Sequence, residues 1–242
     1  MDMIESLEPY LQPGTYVDSD HPAVIAFAQR EAAGAGSPRE VAVKLFYAVR
    51  DQVRYDPYHI DLSVTGLKAS HCLATGHGFC ITKAALLAAV LRVHGIATRL
   101  AFADVRNHMT SPRLQATMGT DIFSFHGNVD ILLDGDDGVG EGGRRWVKAT
   151  PAFNLSLCQK AGTKPLEFDG VNDSILHPFD LAGRRHMEYV RDRGIYADIP
   201  RETMLAAWDE IYPDTVPWKQ SALGKAVDAD FEAEVRRSDG EA

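Results

Sequence analysis

With 242 residues, 45% of them hydrophobic and 24% charged, the chain has the composition of an ordinary soluble globular protein and the length for one sizeable core. A net charge of −9 without any long run of Lys and Arg argues against nucleic acid and anionic membrane as partners. Three cysteines, Cys72, Cys80 and Cys158, are too sparse for a disulfide framework and fit a reducing compartment.

The first residues, MDMIESLEPYLQPG, are acidic where an export leader is basic and then apolar, and no later segment approaches the ~20 apolar residues of a membrane span, so a cytoplasmic location is expected. HPAVIAFAQREAA and SPREVAVKLFYAVRDQVRYD carry apolar residues at helical spacing, and Ser37-Pro38 reads as a cap followed by a first-turn proline. DPYHIDLSVTGLKASHCLATGHGF has no sustained period and is expected to be a long surface connection leading to Cys80. ITKAALLAAVLRVHG is apolar on nearly every side, as in a helix buried at the centre of a protein, and Gly95 is placed to end it.

ATRLAFADV, FHGNVDILLD and RRWVKAT then read as strands, the last two joined by the polar GDDGVGEGG, so a helix packed on an antiparallel sheet is expected. PLEFDGVNDSILHPFD reads as irregular and GRRHMEYVRDRG as mixed, and together they are expected to form a loop gating a cleft. PRETMLAAWDEIYP and QSALGKAVDADFEAEVRR read as helices, the second running into an acidic, solvated tail. One domain over residues 1–220 with a C-terminal acidic helix or tail over 221–242 is the expected organisation.

The chemistry centres on GHGFC, which sets Cys80 at the mouth of the apolar helix. Exposed amides at a helix N-terminus lower a thiol pKa and can also donate to a tetrahedral oxyanion, while Gly76 and Gly78 let a substrate backbone approach. The base such a thiol needs is offered by His126, at the start of a strand expected to pack on the Cys80 helix.

GFCITKAALLAAVLRVHGIATRL, FHGNVDILLDG and RWVKATPAF, spanning about Gly76 to Phe153, resemble the core of the transglutaminase-like superfamily in its bacterial form. HGIATR matches the Gly-Ile-Pro-Ala-Arg-like turn of that family except for Ala97 at the proline. The resemblance implies an α+β, papain-like fold with extra N- and C-terminal helices around a motif core of residues 76–153. It implies Cys80 as nucleophile and His126 as general base and acid. The aspartate usually found four residues after the strand tryptophan falls on Thr150, an uncharged residue that can accept the imidazole N–H but stabilises an imidazolium less. Asn154, or a distant carboxylate such as Asp169, is the alternative orienter.

The implied activity is cysteine-dependent amide hydrolysis or acyl transfer through a thioester, on a peptide, protein or small amide, with no cofactor. Two other readings stand beside it. One is an inactive fold binding a peptide or protein, motivated by Thr150. The other is a zinc-stabilised interaction module using His71, Cys72, His77 and Cys80, which lack the paired Cys-x-x-Cys spacing of common structural sites. A redox disulfide between Cys72 and Cys80 is a minor alternative. DGVNDS and GDDGVGEGG lack the ligand spacing of a calcium loop and read as solvated turns. Trp146, Trp208 and Trp218 read as packing residues.

Overall fold

The computed structural model describes residues 6–108, 112–135, 143–214 and 231–234. After a short 3-10 turn come α1 (Pro22–Glu31), α2 (Pro38–Gln52), β1 (Arg54–Tyr55), α3 (Ala69–Thr75), β2 (His77–Gly78) and α4 (Cys80–Val93). They are followed by β3 (Thr98–Asn107), α5 (Pro112–Met118), β4 (Ile122–Asp134), β5 (Arg144–Ala149), α6 (Leu155–Ala161), β6 (Met187–Tyr196), α7 (Arg201–Ile211) and α8 (Phe231–Glu234).

The helix starts follow from local chemistry. Ser37 Oγ accepts the Glu40 N–H at 3.2 Å, satisfying one orphan donor of α2, and Glu40 Oε2 accepts the Gly36 N–H at 2.7 Å just ahead of the cap. α4 is the centre of the molecule, with every residue from Cys80 to Arg92 buried. Two of those residues, Lys83 and Arg92, are basic side chains whose buried donors need partners. Lys83 Nζ donates to the Arg50 and Val53 carbonyls at 2.9 and 2.5 Å, tying α4 to the end of α2. Arg92 donates to the carbonyls of Gln12, Thr98 and Ala197, tying the other end of α4 to β3 and to the N-terminal segment. Gly95, at φ +68°, takes the left-handed turn that ends this helix.

The sheet runs β5-β4-β3-β6 and is antiparallel throughout. Leu100, Val129, Ile131, Val147 and Ala149 alternate onto its buried face. Gly127 shares that face, and a Cβ there would lie 3.3 Å from Ile81 Cα and 3.4 Å from the Cys80 carbonyl, so the sheet carries the start of α4. This is the α+β arrangement expected from the sequence.

Several elements differ from the sequence reading. The stretch 56–79 is not a featureless surface connection: it holds α3, whose Ala69 and Cys72 are buried, and β2, which pairs in parallel with β1. β6 is a ten-residue strand that reads as mixed because it is the sheet edge, exposed on most positions of both faces. The 165–180 stretch is irregular, as expected, but it runs beside β5, with Ser174 bridged to Ala149. In DGVNDS, Asp169 accepts the Val171 and Asn172 N–H groups and closes its own turn. Trp218, most of the GDDGVGEGG loop, and the 220/221 division with most of the tail lie outside the described residues. No described helix is long and apolar enough to cross a membrane.

Candidate active site

Gly78 and Phe79 deliver Cys80 to the first turn of α4. A Cβ on Gly78 would lie 2.6 Å from both Cys72 Sγ and Thr82 Oγ1, so only glycine fits where β2 turns into the helix. Thr82 Oγ1 accepts the Phe79 N–H at 3.1 Å and fixes the helix entry. Cys80 is 8% exposed.

Burial pushes the Cys80 thiol up to about 11, against the opposing pull of the backbone amides of Gly127, Ile81 and Cys80 itself. The helix N-terminus thus acts as the sequence suggested, but loss of water outweighs it, and the resting sulfur is a protonated thiol. His126 lies on β4 opposite Ala103, is 3% exposed, and is pushed by burial down to about 4. At neutral pH the structure therefore holds a neutral thiol and a neutral imidazole. Gly127, whose amide acts on the sulfur, is the residue directly after His126.

Thr150 follows the last residue of β5 and is fully buried. Extending the Val129↔Ala149 register by one residue sets Thr150 across from Asn128, on the His126 side of the sheet and one diagonal step from it. Thr150 Oγ1 and His126 Nε2 are both buried without a hydrogen-bond partner. The carboxylate on that face, Asp130, is taken up by Arg99 and Lys148, each at 3.0 Å. Asn154, the other residue weighed as orienter, is engaged elsewhere: Oδ1 accepts the Tyr55 N–H at 3.0 Å, and Nδ2 donates to Ser156 Oγ and Glu232 Oε2. It holds the backbone of Tyr55 rather than the His126 ring. Asp169 is spent on its own turn.

Above Cys80 lies a slot of about 30 Å³, walled by Tyr55, Phe79, Leu114, Met118, Trp208 and Tyr212 among others. Room for little more than one water leaves the thiol covered by apolar side chains from α5 and α7. Trp208, read from sequence as packing, does pack, and its Nε1 also donates to the Ser124 carbonyl at 3.1 Å. The 165–180 stretch, expected to gate the cleft, contributes nothing to this slot; it meets α2 at Leu166–Phe168 and β5 at Asp173–Ser174, and its Ile175 lines a separate pocket with Ala101, Ala103, Asn128 and Lys148. The covering residues come instead from α5, a short helix without a sequence signature, and from α7.

The zinc reading fails on geometry. Cys72 turns inward against Gly78 and Thr82, while His77 sits 5.5 Å from the ring of His59, which hydrogen-bonds Asp56 at 2.7 Å. Among the described residues no group of three or more His, Cys, Asp or Glu side chains is arranged to hold a metal ion. All three cysteines are buried and free.

Several solved structures resemble the chain, two of them as follows. A candidate cysteine protease from Cytophaga hutchinsonii shares 15% identity at a TM-score of 0.45, with 81% of this chain and 55% of that one covered. A candidate protease from Parabacteroides distasonis shares 18% identity at a TM-score of 0.34, with 60% of this chain and 25% of that one covered. The chain thus spans about half the length of the first and a quarter of the second. No curated protein matches it. A family model described as the transglutaminase-like superfamily matches residues 25–151, more than half of the sequence, from α1 through α4 and the β3–β5 sheet to the residue after Thr150. By that match over more than half of its sequence, the chain belongs to the transglutaminase-like superfamily.

Proposed function

We propose that the protein is a cysteine-dependent amide hydrolase or acyltransferase, with Cys80 as nucleophile, His126 as general base and acid, and Thr150 as the uncharged residue at the orienting position. The observation carrying this reading is that Cys80 opens the buried helix α4 directly against β4 at Gly127, the residue after His126, where a Cβ would lie 3.4 Å from the Cys80 carbonyl. His126 takes the thiol proton as Sγ attacks the amide carbonyl carbon. Amides at the start of α4 stabilise the oxyanion, and the imidazolium returns its proton to the leaving amine. The thioester left on Cys80 is resolved by water in hydrolysis or by an amine in transfer.

The neutral resting pair suits this mechanism, because the ion pair forms only when a carbonyl enters and the proton moves. The apolar slot favours an uncharged amide flanked by apolar groups, and its occupant must displace Leu114, Met118 or Trp208. The test is activity on a panel of peptide and small-amide substrates, with Cys80→Ala and His126→Ala as controls. Release of amine by the parent, lost in both variants, supports the reading.

One observation favours a second reading, a binding module that has lost catalysis. Thr150 leaves His126 without a carboxylate, and the thiol is held high by burial. Peptide binding by the parent, unchanged in Cys80→Ala and without turnover, would establish it.

A further inference from the structure

β4 is kinked immediately before His126. Phe125, at φ +56°, is the one non-glycine residue in the left-handed region among the described residues, and it is a bulky one, so its backbone persists only because its surroundings impose it. Ser124 makes its hydrogen bonds away from the ladder. Its Oγ donates to Asp104 Oδ1 at 2.8 Å, its N–H donates to Tyr212 Oη at 2.7 Å, and its carbonyl accepts from Trp208 Nε1 at 3.1 Å. The Phe125 N–H also donates to Asp104 Oδ1, at 3.1 Å.

Asp104 is the hub. It lies on β3 where the register slips against both neighbours, between Ala103 and Val105 toward β4 and between Asp104 and Val105 toward β6. From there its carboxylate reaches across to β4 and also accepts Arg193 Nε at 2.9 Å to each oxygen, with the second nitrogen at 2.7 Å. On β6, Arg193 turns inward between the exposed Asp192 and the left-handed Gly194, and its guanidinium lies 5.2 Å from the centre of the Phe125 ring. Burial opposes charge on Asp104, yet the Arg193, Ser124 and Phe125 hydrogen bonds hold its carboxyl below the ordinary range. Three strands are thus irregular at one level, and the Asp104 carboxylate joins them, by an ion pair to β6 and hydrogen bonds to β4.

We propose that Asp104 and Arg193 are positioning residues that clamp the Ser124–Phe125 kink and so set the direction of His126 and of the Gly127 amide toward Cys80. This inference rests on the Cys80–His126 reading above. Released from the clamp, Phe125 relaxes toward negative φ, and rotation there swings the two residues that follow it.

The test uses the full chain with ¹⁵N-labelled histidine, reading the His126 ring by NMR titration and the rate of iodoacetamide reaction at Cys80 by mass spectrometry. Asp104→Leu removes the acceptor, and should shift the His126 titration and slow Cys80 labelling at least ten-fold. Asp104→Asn keeps an oxygen of the same shape for Ser124 and Phe125, and should stay within about three-fold of the parent. Ser124→Ala, which removes one bond and little volume, should give a smaller loss of the same kind and carries the test if the leucine variant does not fold. Lower melting temperatures with an unmoved His126 titration and unchanged Cys80 labelling would make the clamp purely structural and overturn the proposal. If His126→Ala leaves Cys80 labelling unchanged, the catalytic reading fails instead, while the NMR titration still reports whether the clamp orients the ring.

Discussion

Thr150→Asp restores a carboxylate at the position where the family usually has one, and its effect can be worked from the geometry. His126 Nε2 is buried without a partner, and continuing the β4–β5 register one residue past Ala149 would set Thr150 on the same side of the sheet, one diagonal step away. For an ionised carboxylate at about 5 Å and an effective dielectric constant of about 20, the attraction to an imidazolium is about 3 kcal/mol. That equals about two and a half pKa units, enough to lift His126 from about 4 to the ordinary histidine range. A raised imidazole pKa favours transfer of the thiol proton, so Cys80 should react faster near neutral pH. NMR titration of His126 and the pH profile of Cys80 alkylation read both effects. A His126 titration unmoved in a folded Thr150→Asp variant would show that residue 150 does not face the ring, and would refute the assignment.

Stability should carry the signature of His126 as well. Its native pKa of about 4 lies below the 6.5 of an unperturbed histidine, so the unfolded chain binds the proton first as pH falls. The resulting stability is complete above pH 6.5 and is lost as the pH falls toward 4, by about 3 kcal/mol. Urea unfolding of the parent and of His126→Gln at pH 7 and pH 4 should show this loss in the parent and its absence in the variant. Gly127→Ala puts a methyl 3.2 Å from Phe102 and 3.3 Å from Ile81 Cα, which moves the start of α4 from β4. It should cost about 1–3 kcal/mol by thermal melting and slow Cys80 alkylation several-fold. Chelation with EDTA should leave the melting temperature where it was; a fall of several degrees would revive a structural metal.

The parts of the fold readable in sequence are those with strong local periodicity. α4 shows because it is apolar all round, and β3 to β5 show as short runs rich in strand-forming residues bounded by turn formers, although β4 is buried on both faces from Ser124 to Ile131 and does not alternate. β6 escapes the same test because an edge strand exposed on both faces has nothing to alternate, and α3 escapes because seven residues with two buried positions make too short a period. Cys80 and His126 are visible through the motif around them. The slot is not, since Leu114, Met118 and Trp208 come from helices remote in sequence. Nor is the thiol's actual acidity, because a sequence shows the helix N-terminus but not the burial that outweighs it. The Asp104–Arg193 pair joins residues 89 apart and leaves no local pattern.

The most direct test of the central claim is the rate of iodoacetamide labelling at each cysteine across pH, in the parent and in His126→Ala. Cys72 and Cys158, buried and also pushed up in pKa by burial, are internal controls. The account predicts that Cys80 labels faster than both and that His126→Ala removes this advantage without changing the other two. Equal labelling of all three cysteines in the parent, or a Cys80 rate indifferent to His126, would contradict it.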